Sequence, residues 1–174
     1  DKALEFWQKK YDKIKFTKLN QYSKIDLKSL QFSFNEYCER IKKRKNIFLI
    51  KIIRFLSPIS AFKPVVVEIT DLGHNVKFDY VNKIFLKTYE PAMISMKSES
   101  LSFIFKNSFG FDTLTVNACF EEIKKGAFVQ ATKTLAIENL NNLGIKIEMK
   151  TLINYSIIKL FLSRLYRVAK KLDV

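Results

Sequence analysis

The residues of this sequence that could do catalytic chemistry are few and widely spaced. His74 is its only histidine, so these residues cannot form a site that needs two imidazole ligands. Cys38 and Cys119 lie far apart, each within an apolar pattern, which favours buried core thiols over a disulfide or a nucleophile. Glu121 and Glu122 are adjacent, so in a strand they would point to opposite faces. We therefore predict no catalytic residue, metal ligand or cofactor within this chain.

Two other kinds of chemistry are weighed against the same sequence. Asp112 could meet Glu90 or Glu99 in space and form a carboxylate pair, but no spacing requires it, and solvated carboxylates are the simpler interpretation. A phosphate-binding loop would need clustered glycines, and the four glycines of the chain are scattered.

Positive charge is concentrated towards the start of the chain. Residues 1–63 hold 16 of the 31 Lys and Arg but only 6 of the 17 Asp and Glu, and the whole chain carries +14. Such a field favours anionic partners, although lysines spread over solvated faces are the simpler interpretation. The tightest group is Lys42, Lys43, Arg44 and Lys45, a candidate anion-binding run. Nucleic acid is disfavoured as a partner by ring stacking, because the aromatic cluster at residues 103–111 has only Lys106 beside it.

Three amphipathic helices are predicted within residues 1–63. Leu4, Trp7, Tyr11 and Ile14 recur at intervals of three and four, which indicates one face of a helix. Asp26 is a suitable N-cap for a second helix that ends in the basic run. A third apolar segment runs from Ile47 to Pro58; it is too short and too charged to span a membrane, for which about 20 apolar residues are needed.

Residues 64–174 have a different residue pattern, which is typical of a sheet followed by helices. Residues 65–70 and 75–81 predict a hairpin around Asp71-Leu72-Gly73, and residues 84–89 and 93–96 predict two further strands. Ser98 is expected to cap a short helix over residues 99–107.

After Gly110, residues 113–121 alternate strictly between an apolar face and a more polar one, which predicts another strand. Helical patterns then follow, with a stop at Gly144 and a long final helix over residues 149–168. The prediction is an α+β fold: an antiparallel sheet with an inserted short helix and C-terminal helices, preceded by an N-terminal helical segment. The predicted domain boundaries are 1–63 and 64–174.

Bulky apolar side chains gather in the predicted sheet and inserted helix, and they suit either an adaptable pocket or an ordinary core. We take the following residues as candidates for the lining of an apolar cavity: Met93, Met96, Leu101, Phe105 and Phe120.

A set of short motifs gives the chain a family resemblance. The motifs are Asp71-Leu72, ISMKSESL at residues 94–101, GFDTLTVNACF at residues 110–120 and NLNNLG at residues 139–144. Together they resemble the C-terminal region of bacterial metallo-β-lactamase-fold hydrolases, in which a helical segment and a small domain similar to sterol carrier protein follow the metal-binding domain. One departure is Ala118-Cys119, where that pattern would place a small residue, often Gly, and then a polar or basic one.

The resemblance implies a function without chemistry of its own. A divalent metal would be held by an upstream metallo-β-lactamase-fold domain, and this chain would be its cytoplasmic accessory domain, enclosing an apolar, lipid-like ligand or shaping substrate access. Two alternatives stay open. The helices of residues 1–63 could form a protein interaction or dimerisation surface, or the basic run at residues 42–45 could bind nucleic acid or an anionic membrane.

Overall fold

A mixed α+β fold is present in the computed structural model, which describes residues 2–15, 22–56 and 61–142 together with Leu162. The α+β class predicted from the sequence is confirmed. The described helices are α1 (Lys2–Lys15), α2 (Leu27–Arg44), α3 (Ile47–Leu56), α4 (Ser98–Lys106), α5 (Gly110–Val116), α6 (Ala127–Leu135) and α7 (Ile137–Asn142). The strands are β1 (Val65–Ile69), β2 (His74–Asp79), β3 (Ile84–Thr88), β4 (Ile94–Met96) and β5 (Phe120–Glu122).

The five described strands form one sheet in the order β3-β2-β1-β4-β5. The predicted hairpin of β1 and β2 is confirmed, with Val67 opposite Val76, and β3 continues it as a meander. The prediction of an antiparallel sheet is wrong in one place, because β4 runs parallel to β1. After β3 the chain crosses to the free edge of β1 instead of extending the meander, so the sheet is mixed.

One face of the sheet carries the core, and alternation along the strands selects it. Val65, Val67 and Ile69 of β1 and Val76 and Phe78 of β2 are fully buried, as period-two side-chain placement requires. The polar or charged residues between them point to the other face. The hydrophobic pattern therefore sets the register of this hairpin, since a slip of one residue would turn the buried set towards solvent.

Helix α2 covers the buried face of the sheet. It begins as predicted, because the Asp26 carboxylate accepts hydrogen bonds from the Lys28 and Ser29 backbone N–H groups at 2.8 and 2.9 Å. Those bonds to Ser29 and Lys28 lower the pKa of Asp26. The inward stripe of α2 is Leu30, Phe34, Tyr37, Cys38 and Ile41, which are all at most 2% exposed.

An aromatic cluster joins α2, α4 and the sheet. The Phe34 ring centroid lies 5.3 Å from that of Phe105 on α4 and 6.0 Å from that of Phe78 on β2. The Phe105 and Phe78 rings meet edge to face with their centroids 5.4 Å apart, a geometry that aromatic pairs favour. Because α2 belongs to the same buried core as the sheet, the division predicted at residues 63 and 64 does not separate two cores.

The strand predicted over residues 113–121 is largely wrong. The chain forms α5 over Gly110–Val116 and only then the three-residue strand β5. The Thr113 and Thr115 hydroxyls donate to the carbonyls four residues earlier, at 3.1 and 2.9 Å, so these β-branched residues are held in a helix. Helix α5 also contains an i, i+3 pair, Phe111 and Leu114, and this pair faces the core.

Close packing of α5 against α4 depends on Gly110. A Cβ atom at this position would stand 2.7 Å from the Ile104 Cα and 2.7 Å from the Phe103 carbonyl oxygen. Both of those are backbone atoms and cannot move aside cheaply, so only glycine allows this approach. After α5, Ala118 takes a φ of 50°, in the left-handed region that favours glycine. This accounts for the small residue that the family pattern would place there.

The start of α4 is held by a residue from another part of the chain. The sequence predicted Ser98 as the N-cap, but the N-cap position is Lys97, and Ser98 is the first helical residue. The Asp71 carboxylate accepts from the Ser98 N–H at 2.7 Å and from the Ser98 hydroxyl at 2.5 Å. The buried Ser98 hydroxyl oxygen also accepts from the Ile25 N–H at 2.8 Å. The turn after β1 therefore caps α4.

Two ion pairs hold helices against the rest of the structure. The Arg40 guanidinium of α2 binds both Glu138 carboxylate oxygens of α7, at 2.7 and 2.8 Å, and donates to the Phe105 carbonyl of α4 at 2.8 Å. Arg54 of α3 binds Asp79 at the end of β2 at 2.8 Å. Glu138 and Asp79 are each 2% exposed, so the loss of either arginine would leave an unpaired buried carboxylate.

The predicted stop at Gly144 and almost all of the predicted final helix lie outside the described residues. Leu162 is the exception; it is helical and exposed.

We expect Phe34→Ala to lower the free energy of unfolding by about 3–5 kcal/mol, because it empties the centre of the aromatic cluster. Phe32 lies on the same helix with 65% of its surface exposed, so Phe32→Ala is the matched control and should change stability by less than about 0.5 kcal/mol. Urea unfolding followed by circular dichroism measures both values. Similar losses in the two variants would contradict this packing.

A second prediction concerns the cap of α4. Asp71→Ala and Ser98→Ala should each destabilise the protein, and their effects should fall short of additivity by about 1 kcal/mol or more, because either change alone breaks the same contact. A double-mutant cycle measured by chemical unfolding supplies the coupling free energy. Strictly additive losses would mean that the two side chains do not act together.

Candidate functional site

The five residues predicted to line a cavity fall into three places. Leu101 and Phe105 are fully buried in the core under α2. Met93 lines a groove of about 400 Å³ on the opposite side of the sheet, together with Val66 and Lys77. Met96 and Phe120 are brought together, as cross-strand partners in β4 and β5. The candidate site is therefore built around this last pair.

A groove of about 220 Å³ opens beside Met96 and Phe120. It lies at the end of the sheet where Thr70 follows β1 and Lys97 follows β4, so the carboxyl ends of the two parallel strands form one side. The loop that enters β5 forms the other side and contributes Cys119. We call this feature the Met96–Phe120 groove.

A stack of three phenylalanine rings supports the groove from behind. Phe120 lies against Phe111 of α5 at 5.8 Å and against Phe128 of α6 at 5.6 Å, with interplanar angles of 20° and 16°. These near-parallel rings are offset, as aromatic stacking prefers. Phe111 is buried, whereas Phe120 and Phe128 keep part of their surfaces exposed. The groove wall is thus apolar, partly accessible and anchored to two helices.

The rim of the groove carries a cation beside an aromatic ring. The Lys97 ammonium lies 3.4 Å from the centroid of the Tyr22 ring, within the range of a cation–π contact. Tyr22 and Lys97 are 75 positions apart, and no periodic signal in the sequence connects them. Sequence reasoning therefore missed both residues. The arrangement offers an apolar floor whose edge carries two opposite charges, the Lys97 ammonium and the Glu121 carboxylate.

The size of the groove limits what it can hold. Clefts for drug-sized ligands usually enclose roughly 300–1,000 Å³, and 220 Å³ falls below that range. A short apolar chain or a single ring would match the volume, whereas a whole sterol would not.

The predicted anion-binding run is divided by the structure. Lys42, Lys43 and Arg44 are exposed in the last turn of α2, where cations face the negative end of the helix dipole. Lys45 is only 5% exposed, and burial lowers its pKa. Three of the four side chains are therefore available on the surface.

The remaining chemistry-bearing residues are dispersed in the structure. His74 is exposed and begins β2, so it lies just beyond the turn that was predicted to hold it. Cys38 is buried, and burial raises its pKa to about 12. Within the described residues no group of three or more His, Cys, Asp and Glu side chains could hold a metal ion, and no helix is long and apolar enough to cross a bilayer.

All three carboxylates considered for a pair have other contacts. Asp112 accepts a hydrogen bond from the Asn139 amide at 2.5 Å, and Glu90 pairs with Lys77 at 2.6 Å. Glu99 accepts from the Ser23 backbone N–H at 2.9 Å. Each carboxylate serves a local contact.

Comparison with known proteins finds no match to a family model, to a curated protein or to a solved structure. The resemblance to the C-terminal region of metallo-β-lactamase-fold hydrolases therefore stays a prediction, carried by the motifs in the sequence.

The two thiols should differ sharply in reactivity. Cys38 is buried with a raised pKa, so at pH 8 it carries almost no thiolate, whereas Cys119 is partly exposed on the groove. We expect Ellman's reagent to modify one thiol in the native protein and two after unfolding, with Cys119→Ser abolishing the native reaction. Fast labelling of Cys38 in the native state would contradict the packing of α2.

The raised pKa of Cys38 also makes the stability of the folded protein depend on pH in a definite direction. The folded state holds the proton up to about pH 12, while the unfolded thiol releases it near its ordinary value of 9.0. The contribution of Cys38 is therefore fully present below about pH 9 and is lost as the pH rises towards 12.

Proposed function

We propose that this chain is a non-catalytic accessory module that binds a short apolar group in the Met96–Phe120 groove. The observation that carries the proposal is the cross-strand pairing of Met96 with Phe120 beside a partly exposed aromatic wall. A thioether and stacked rings suit an apolar ligand, since Met adapts its shape and the rings offer flat surface. Burial contributes about 0.8 kcal/mol for each methylene, so even a short chain would be held usefully.

In this proposal the reaction belongs to another part of a larger protein. The family resemblance assigns a divalent metal to an upstream metallo-β-lactamase-fold domain, and the present chain would hold or guide an apolar part of that domain's substrate. Lys97 and Glu121 both line the groove and suit a polar end group on the same ligand. The module would then influence binding and leave the chemistry to the partner domain.

An alternative function is favoured by a different observation. The exposed run Lys42, Lys43 and Arg44 gives α2 a basic end that would attract nucleic acid or another anionic partner. Such binding should weaken steeply as salt is added, whereas occupancy of an apolar groove should change little.

Titration with 6-(NBD-amino)hexanoic acid tests the groove. We expect its fluorescence to rise on binding, and Phe120→Ala to weaken binding about tenfold because it removes the one ring of the three that lines the groove. Phe109→Ala is the matched control, since Phe109 is an exposed ring away from the groove.

A second variant distinguishes a loss of binding from a loss of fold. Thr70→Trp places bulk at the groove mouth without touching the ring stack, and it should also abolish binding while the Tm stays close to that of the original protein. Binding that survives both substitutions, or no fluorescence change with the original protein, would refute the proposal.

A further inference from the structure

Helix α1 carries an apolar face that the rest of the described chain leaves open. Leu4, Trp7 and Tyr11 are spaced three and four residues apart, so they lie along one side of the helix. Phe6 lies about 100° round the axis from Trp7, on the side that carries Lys2 and Lys13. Between 56% and 69% of the surface of each of these four side chains is exposed. A row of large apolar side chains that are this exposed indicates a contact surface.

The opposite side of α1 is strongly basic. Lys2, Lys9 and Lys13 fall on one face of the helix, and α1 contains five lysines against two acids. These three lysines are thus separated around the axis from Leu4, Trp7 and Tyr11, whereas Phe6 lies on the basic side, and the helix as a whole is polar. Helices with this pattern, with Lys on one side and Trp, Phe and Leu on the other, are typical of the membrane–water interface.

One lysine lies among the aromatic rings. The Lys10 ammonium is 5.0 Å from the Phe6 ring centroid and 5.8 Å from that of Trp7. In a protein interface this charge would have to be buried beside the rings, which explains why lysine is depleted from such surfaces. At a bilayer surface the aliphatic stem can lie along the apolar region while the ammonium reaches the lipid phosphates.

We propose that α1 is an interfacial helix that attaches the protein to an anionic membrane surface. It would lie in the plane of the bilayer with Leu4, Trp7 and Tyr11 at the level of the acyl boundary. The net charge of +14 complements anionic headgroups. The same charge opposes the approach of a second copy, and a nucleic acid backbone would leave Leu4 without an apolar partner.

The sequence supplies its own probe, because Trp7 is the only tryptophan of the chain. We expect its emission to shift to the blue when the full chain meets vesicles of phosphatidylcholine with about one third phosphatidylserine, and to stay unchanged with phosphatidylcholine alone. Added salt should weaken the binding, which co-sedimentation measures independently.

Matched variants locate the contact. Leu4→Ser combined with Tyr11→Ser keeps the probe and should reduce vesicle binding about tenfold or more, because it removes apolar area from the face. Tyr89→Ser combined with Val116→Ser makes a similar change at two other highly exposed positions and should have no effect. Circular dichroism and the Tm should be the same for both double variants.

Three results would overturn the proposal. The first is the absence of a blue shift with anionic vesicles, or an equal shift with neutral ones. The second is protection of Trp7 from acrylamide without lipid that grows with protein concentration, which would assign the face to a second copy. The third is a shift that DNA produces and vesicles do not, which would assign it to nucleic acid.

Discussion

The fold depends on the contact between α2 and the sheet through Phe34, Phe78 and Phe105. These rings bring together a helix that precedes the sheet, a strand from the hairpin and a helix from the connection between β4 and β5, and none of these elements could bury its apolar face alone. Each buried aromatic residue contributes a large apolar area, and the edge-to-face geometry adds to it. The basic N-terminal part is therefore joined to the sheet through α2 by a shared core, whereas α1 leaves its apolar face outside that core.

Two arginines stabilise this arrangement, because each pairs its positive charge with a buried carboxylate. Arg40 links α2 to α4 and α7 through one guanidinium, and its pKa is raised by the hydrogen bonds to Glu138. Arg54 fixes α3 against the turn that follows β2, where Asp79 also accepts from the Val81 N–H at 3.0 Å. The Arg40 fork matches the paired Glu138 oxygens, so this contact gives direction as well as energy, whereas Arg54 reaches both Asp79 oxygens from one nitrogen. The charge of the chain is thus divided between structural pairs and exposed lysines.

Periodicity predicted the elements whose own residues decide their shape. The start of α2 at Asp26, its end in the basic run, and the hairpin of β1 and β2 were predicted from residue type and alternation and are confirmed. The features that were missed depend on partners far away in the chain. The helical state of α5 rests on threonine back-bonding and on the Gly110 contact, and the cap of α4 comes from Asp71. The candidate cavity residues were mostly core, because composition cannot distinguish a packed interior from an accessible groove.

The close approach at Gly110 has a consequence for ligand selection by the Met96–Phe120 groove. Helix α5 carries Phe111, the hidden ring of the wall, and the distance of α5 from α4 is limited by backbone atoms that meet at residue 110. Backbone atoms in contact of this kind move much less than side chains do. The width of the groove is therefore set before any ligand binds. Under the function proposed above, selectivity would then follow a size cutoff with little induced fit, and longer homologues of a bound chain would be rejected abruptly.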